Sequence, residues 1–596
     1  MVDTNDKALV GGPPRDSPEA GITCYGPIVQ THQQRIHVTN TANFIAARDF
    51  LITHRNDYDT AYGDFAWPLL TDSFSWVADY FDPIADGNDT LALHLVEEDG
   101  TEATITYDAL AQRSRQVANY LVSQGVSHGD RVLVMLGNEI PLWETMLAAM
   151  RIGAVVIPAT VLLSGNDLAD RFERGAAALV VTNETGAASV DVLDAAVTQG
   201  VGKVLVGTER DGWQPFAASH DSPADFTAAS AVAAGDPLLE YFTSGTTSKP
   251  KLVRHTHTSY PVGHLSTMYW MGLKQGDVHW TLSSPGWAKH AWGCFFAPFN
   301  AQATIFIYKY DRFVAADVLD VLVKHQVTTL CAPPTVWRFL IQEDLSAHQV
   351  VLRELLSAGE PLNPEVIAQV QAAWGATIRD GYGQTETTAQ IGNPPGAVIK
   401  PGSMGRPLPG YTISLLDAEG IASDEGQIGI QLGDQALPVM ESYADDAEKT
   451  TTVMRNGHYH TGDVASRDAD GYITYIGRDD DVFKASGYRI SPFELESVLI
   501  EHPAVAEAAV VPSPHSLRGF VPKAYVAVAP GHDESAETAA AILGFVREQV
   551  SGYKLVRRLE FAELPKTISG KIRRVQLRQQ ETERAGDEMR SAAEFE

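Results

Sequence analysis

The sequence predicts an α/β protein: a large multi-subdomain N-terminal lobe of mostly parallel sheets flanked by helices, then a small α+β C-terminal domain. Three observations carry that prediction. Apolar strand-like runs alternate with amphipathic helical runs through most of the 596 residues. The loops richest in glycine, hydroxyl and charged residues follow those strands, where open α/β sheets bind ligands. After Tyr475 the rhythm changes to a separate small unit.

Residues 1–35 are rich in Gly, Pro and Asp and are expected to be a loosely ordered extension. The large lobe is expected over 36–478. RVLVML (131–136) reads as a strand, PLWETMLAAMRIG as a helix, AVVIPAT as a strand, DLADRFERGA as a helix and ALVVTN as a strand. This βαβ rhythm implies parallel pairing. It recurs in TIFIYKY (304–310), a helix from Val314 to His325, then VTTLCAPP. LLSAGE (355–360) precedes a helix opened by Asn363 and Pro364, and ATIRDGYG (376–383) follows as a strand. The small domain is expected over 479–580: a helix with a Ser491/Glu494 capping box, strands AEAAVVPS and KAYVAVAP, a helix ESAETAAAILGFVREQV and a strand RRLEFAEL. Residues 581–596 read as an acidic solvated tail.

A net charge of −30 argues against non-specific nucleic-acid binding and against an anionic membrane surface. Cys24, Cys294 and Cys331 are too few and too scattered for a disulfide framework or a zinc site. The apolar run AMRIGAVVIPATVLL is interrupted by Arg151 and Pro158, so no membrane span is expected. The N-terminus has no apolar core of a secretory signal, which makes the cytoplasm the default compartment.

The stretch YFTSGTTSKPK ends an apolar run in hydroxyls and ammonium groups. Thr243, Ser244, Thr246, Thr247 and Ser248 offer hydroxyls, Gly245 lets backbone N–H groups approach closely, and Lys249 and Lys251 bring charge. Those are the parts of a polyphosphate cradle, though a polar surface loop would share the composition. It is not a Walker A loop, since Gly245 is not followed by a Gly-Lys-Ser/Thr end.

TSGTTSKPK resembles the phosphate loop of the adenylate-forming superfamily of acyl-CoA synthetases, peptide-synthetase adenylation domains and luciferases. DGYGQTET (380–387), YHTGD (459–463), GRDDDVFKASGYR (477–489) and PKTISGKIRR (565–574) follow in the family's order. Ser248 stands where many members have Gly. The resemblance implies that a carboxylate attacks ATP to give acyl-AMP, and that a thiol, normally that of coenzyme A, then displaces AMP. The implied partners are ATP, Mg²⁺, CoA and a small carboxylic acid, with homo-oligomer formation left open.

Carried over by motif, Asp380, Gly381 and Tyr382 flank adenine, with Gly383 and Gln384 in the same nucleotide segment. Thr385 donates to the α-phosphate and Glu386 helps hold Mg²⁺. Asp463 holds the ribose hydroxyls, Arg478 reaches ribose or phosphate, and Asp480 is the hinge pivot. Lys571 stabilises charge developing at the α-phosphate. A mobile small domain then presents Ser486, Gly487 and Tyr488 to the pantetheine and Arg489 to a phosphate.

Trp287 and Gly359 are candidates for the acyl pocket. So is Gly383, which stands where acetyl-CoA synthetases carry a pocket-closing Trp, so a medium-chain, branched or aromatic acid is expected. SSPGWAKHAWG, SAGEPLNP and SGYRISPFELE resemble the medium-chain branch. Amino-acid activation is disfavoured, because GWAKHAWG offers Lys289 and His290 where such domains place an Asp. A free-standing enzyme loading a carrier protein or an amine, and a short-chain ligase, remain the alternatives.

Overall fold

The computed structural model describes residues 29–243, 250–360, 362–433, 438–485, 488–515, 519–550, 552–566, 572–586 and 594–595. Two large sheets form the body of the N-terminal lobe. In the first, Leu91–Val96, Thr304–Tyr308, Val278–Thr281, Thr329–Ala332, Glu354–Ala358 and Ile378–Gly383 lie side by side and parallel. Antiparallel strands Glu102–Thr106 and Ala389–Gly392 flank that run. In the second, Pro237–Thr243, Val155–Pro158, Arg131–Met135, Ala177–Asn183 and Gly202–Val206 are parallel neighbours, and Lys251–Thr256 closes a hairpin with Pro237–Thr243. A third, antiparallel sheet carries Ile413–Leu416, Glu425–Gln431, His458–Arg467 and Ile473–Arg478.

The helices start and stop where local chemistry directs. Thr106, Asn183 and Asn363 accept backbone N–H groups as N-caps, and Pro364 fills the first turn after Asn363. Helix Ile140–Ile152 ends on Gly153 at φ +78°, a left-handed cap that L side chains disfavour. Residues 132–135 of strand Arg131–Met135 and all of strand Val155–Pro158 are buried, as parallel strands covered on both faces must be. Trp76, Trp143, Trp270, Trp280 and Trp337 are fully buried, and each such ring stabilises by roughly 2–3 kcal/mol.

The C-terminal unit packs helix Pro492–Ile500 and helix Ala536–Gln549 on strands Val505–His515, Gly519–Val528 and Arg558–Phe561. Ser491 accepts from Glu494 N at 3.1 Å, the expected cap, and also donates to the Ile476 carbonyl of strand Ile473–Arg478.

Two expectations are corrected. Helix Val29–Thr53 includes residues 29–35, so the last part of the expected 1–35 extension is helical. The expected acidic solvated tail is also wrong. Helix Arg574–Gly586 and strand Glu594–Phe595 run into it, and strand Glu594–Phe595 pairs with Arg558–Phe561. Glu581 and Glu594 turn inward to Lys523 at 2.8 and 2.7 Å. Glu560 joins them at 2.8 Å, because a fully buried ammonium needs carboxylates around it. Among the described residues, no helix is long and apolar enough to cross a membrane.

Candidate active site

Thr243 and Lys251 face each other across the hairpin, so the described ends of the hydroxyl-rich loop are paired. Ser244, Gly245, Thr246, Thr247, Ser248 and Lys249 lie outside the described residues. The Lys251 ammonium lies 3.4 Å from Glu386 Oε1 and 3.2 Å from the Tyr443 hydroxyl, over the Tyr443 ring. Tyr443 donates to the same Glu386 oxygen at 2.9 Å. Burial and the Glu386 carboxylate push the Tyr443 phenol up, so it remains a donor. Thr385 is fixed from behind by His255, whose Nε2–H donates to the Thr385 carbonyl at 2.7 Å. Burial pushes that imidazole down to about 4, which keeps it neutral.

The third sheet brings Asp463 to the same place. Its carboxylate, buried, accepts from Tyr382 Oη at 2.6 Å, Gln384 Nε2 at 2.5 Å, Tyr475 Oη at 3.3 Å and Arg478 Nη1 at 3.4 Å. Tyr459 in turn donates to Gln384 Oε1 at 2.9 Å. Asp463 and Arg478 are register partners on adjacent strands, which is why the guanidinium reaches the carboxylate. Burial opposes the Arg478 charge, yet Asp463 and Asp480 hold its pKa raised. Asp480, the expected hinge pivot, accepts from Arg478 Nε at 3.4 Å. Such a carboxylate surrounded by donors can exchange partners with ribose hydroxyls.

Asp380 lies on the same strand as Tyr382, beside Ser357 of the neighbouring strand in register, and accepts from Gly381 N at 2.9 Å and Leu362 N at 3.5 Å. Burial raises its carboxyl to about 7. Gly381 has no room for a side chain, since a Cβ would meet the Trp270 ring at 2.3 Å.

Gly383 calls for a correction. The expectation that its missing side chain leaves an opening does not hold. A Cβ there would lie 2.4 Å from Trp292 Cη2 and 2.3 Å from the Thr388 carbonyl. Trp292, itself anchored by its Nε1–H to the Tyr260 hydroxyl at 3.1 Å, supplies a wall from another element. Trp287 begins the short helix Ala288–Ala291 that leads to Trp292 and is half-buried. Gly359, by contrast, adopts φ +108° with nothing within 4 Å of its absent Cβ.

Of the C-terminal candidates, Ser486, Gly487 and Lys571 lie outside the described residues. Tyr488 and Arg489 belong to strand Tyr488–Ile490, paired with Phe483–Ala485. Beyond the expected residues, the structure adds Tyr443, Tyr459, Thr461 and Tyr475 to the site. Thr461 accepts through its carbonyl from Gln384 at 3.0 Å and from Arg478 at 3.2 Å. Tyr459 and Thr461 lie within the quoted YHTGD, whereas nothing local in the sequence singles out Tyr443 or Tyr475.

Strand-end loops carrying a Lys–Glu pair beside a caged carboxylate and its arginine partner are the arrangement of a nucleotide-binding enzyme. Comparison with known proteins agrees. Residues 85–432 match the AMP-binding enzyme model and 494–571 the AMP-binding enzyme C-terminal domain. The chain is 40% identical over 523 residues to 4-hydroxybutyrate–CoA ligase 1 of Metallosphaera sedula, covering 86% of this chain and 91% of that one. It is 38% identical over 498 residues to the rat mitochondrial acyl-coenzyme A synthetase ACSM3, covering 82% and 86%. Among solved structures, the anthranilate CoA ligase AuaEII in complex with anthranoyl-AMP superposes with a TM-score of 0.79 at 27% identity, covering 87% of this chain and 99% of that one. A benzoate CoA ligase from Burkholderia xenovorans gives 0.71 at 27% identity, covering 85% and 100%. The chain belongs to the AMP-binding enzyme family and is an AMP-forming acid–CoA ligase.

Proposed function

We propose that this ligase activates a medium-chain, branched or aromatic carboxylic acid. The acid's carboxylate oxygen attacks the α-phosphorus of ATP, the bond to the β-bridging oxygen breaks, and pyrophosphate leaves. The CoA sulfur then attacks the acyl carbon, AMP leaves, and the thiol proton is lost. The observation that carries the site assignment is the convergence of Tyr382, Gln384 and Arg478 on Asp463, next to the Lys251–Glu386 pair.

In this reading Asp463 holds the ribose and Asp380 with Tyr382 the adenine side. Lys251, Thr385 and the loop 243–249 hold the phosphates. Glu386 fits Mg²⁺, since a hard carboxylate oxygen beside a triphosphate is what that ion takes. When bound, the ion would neutralise phosphate charge. The Trp292 ring beside Gly383 sets the acid's size limit and favours compact branched or aromatic acids. The anthranilate and benzoate ligases among its structural relatives support the aromatic option. We place the reaction in the cytoplasm.

Lys571→Ala tests the division of labour between the two half-reactions. Acid-dependent ATP–pyrophosphate exchange is expected to disappear, while thioester formation from a supplied acyl-adenylate continues. Equal loss of both steps contradicts the assignment. Exchange that survives excess EDTA contradicts the role given to Mg²⁺.

A further inference from the structure

Among the described residues, Lys289 is a cation to which the two-step chemistry gives no task. Lys289 sits on the short helix Ala288–Ala291, and its Nζ donates to the carbonyl of Ala358, the last residue of strand Glu354–Ala358, at 3.0 Å. An ammonium has three N–H donors, and this contact uses one. Among the described residues no carboxylate lies within ion-pair distance of it. The titratable groups that act on it are Cys331, Glu360, Cys294 and Asp380. Burial pushes its pKa down and those groups oppose the shift.

The surroundings are those of a ligand cleft. Lys289 keeps part of its surface open. Gly359, directly after Ala358, borders open space. Trp292, three residues beyond Lys289, reaches Gly383 on the neighbouring strand Ile378–Gly383. Lys289 and Trp292 therefore address the carboxyl ends of two adjacent strands, where such sheets take their substrates. The carboxylate undergoing activation belongs on the Lys251–Glu386 side, where the phosphates lie. Lys289 donates instead to a strand end, with Cys331, Glu360, Cys294 and Asp380 acting on its charge. An acyl chain entering here displaces water from the ammonium, and that costs affinity unless the chain brings an acceptor.

We propose that Lys289 selects acids that carry a second oxygen acceptor, a hydroxyl, keto or carboxylate oxygen, remote from the carboxylate being activated. The proposal rests on the acid site placed above beside Trp292 and Gly383. It makes Lys289 a specificity residue, not a participant in acyl transfer.

The test is kcat/KM for acids matched in skeleton and differing only in oxygen: hexanoate, 5-oxohexanoate, 6-hydroxyhexanoate and adipate, and benzoate, 3- and 4-hydroxybenzoate and isophthalate. The wild type, Lys289→Met and Lys289→Gln are compared, with thermal melts to confirm folding. At least one oxygen-bearing acid should exceed its parent by about tenfold or more, the usual worth of a hydrogen bond to a charged group. Lys289→Met should bring that ratio to within about threefold of one, and Lys289→Gln, which keeps a donor, should fall between. The ratio is internal to each variant, so a general loss of active protein does not move it. Parents that match their oxygenated partners, an unchanged ratio in Lys289→Met, or equal loss on all acids each overturn the proposal. Trp292→Ala in the same assay separates the two claims. A shifted size limit with no Lys289 effect rejects the role of Lys289 alone, whereas no effect of either rejects the acid site itself.

Discussion

Tyr382 donates its hydroxyl to Asp463 Oδ2 at 2.6 Å, and that bond joins strand Ile378–Gly383 of the nine-stranded sheet to strand His458–Arg467 of the antiparallel sheet. The nucleotide site is built across this seam. Asp463→Ala removes the acceptor shared by Tyr382, Gln384, Tyr475 and Arg478. Each hydrogen bond to a charged group is worth about 1.5–3 kcal/mol, so two lost ribose contacts lower kcat/KM for ATP by at least about 100-fold. Asp463→Asn, which keeps one acceptor oxygen, should lose less. Steady-state kinetics in ATP checks both; equal activity of Asp463→Ala and wild type would rule out the ribose role.

Trp292→Ala opens the space beside Gly383. Removing a buried Trp costs about 3–5 kcal/mol, so a lower melting temperature is expected. Among acids, longer straight chains should gain relative to short ones, read as the chain length at which kcat/KM peaks. An unmoved optimum would mean that the ring does not wall the acyl site.

Much of this arrangement was legible in the sequence. The βαβ rhythm located the parallel strands, and the Asn363–Pro364 pair located the start of a helix. The quoted YHTGD and DGYGQTE segments did bring Asp463 and Gln384 into contact. Trp292 against Gly383 was not legible, because 90 residues separate them and the contact depends on how a short helix packs over the strand ends. The C-terminal carboxylates were misread for a related reason. Charge runs look solvated in one dimension, and only the fold reveals that Glu581 and Glu594 close around Lys523.

That buried cluster makes its own prediction. Lys523 is fully enclosed and is shared by Glu560, Glu581 and Glu594, while Arg584 also reaches Glu560 at 2.7 Å. Burial opposes the Lys523 charge, but the three carboxylates hold its pKa raised. Lys523→Met leaves those carboxylates without their shared cation and should destabilise the C-terminal unit by about 3–5 kcal/mol. Denaturant unfolding measures it, and a change under about 1 kcal/mol would contradict the burial described.

Acid should unfold the protein early. Burial pushes His255 to about 4 and His257, His279 and His290 to about 3, against an ordinary value of 6.5. Between those values the unfolded chain binds more protons than the folded one, so stability is full above pH 6.5 and falls as pH drops towards 4. Each histidine contributes about 1.4 kcal/mol per pH unit in that window. Asp380, raised to about 7, works the other way, because its folded form holds a proton that the unfolded form releases above 3.8. Four groups outweigh one, so melting temperature should fall from pH 7.5 to pH 5; a flat or rising profile would contradict the neutral buried state of these rings.

The most direct test of the central claim is mass-spectrometric detection of acyl-CoA after mixing the protein with ATP, Mg²⁺, CoA and acids from acetate to decanoate, with isobutyrate, benzoate and the oxygenated acids included. The account predicts an acyl-CoA peak with a compact branched or aromatic acid or a medium-chain one, with AMP and pyrophosphate in equal amount. Acid-dependent pyrophosphate release with no acyl-CoA from any acid would contradict it.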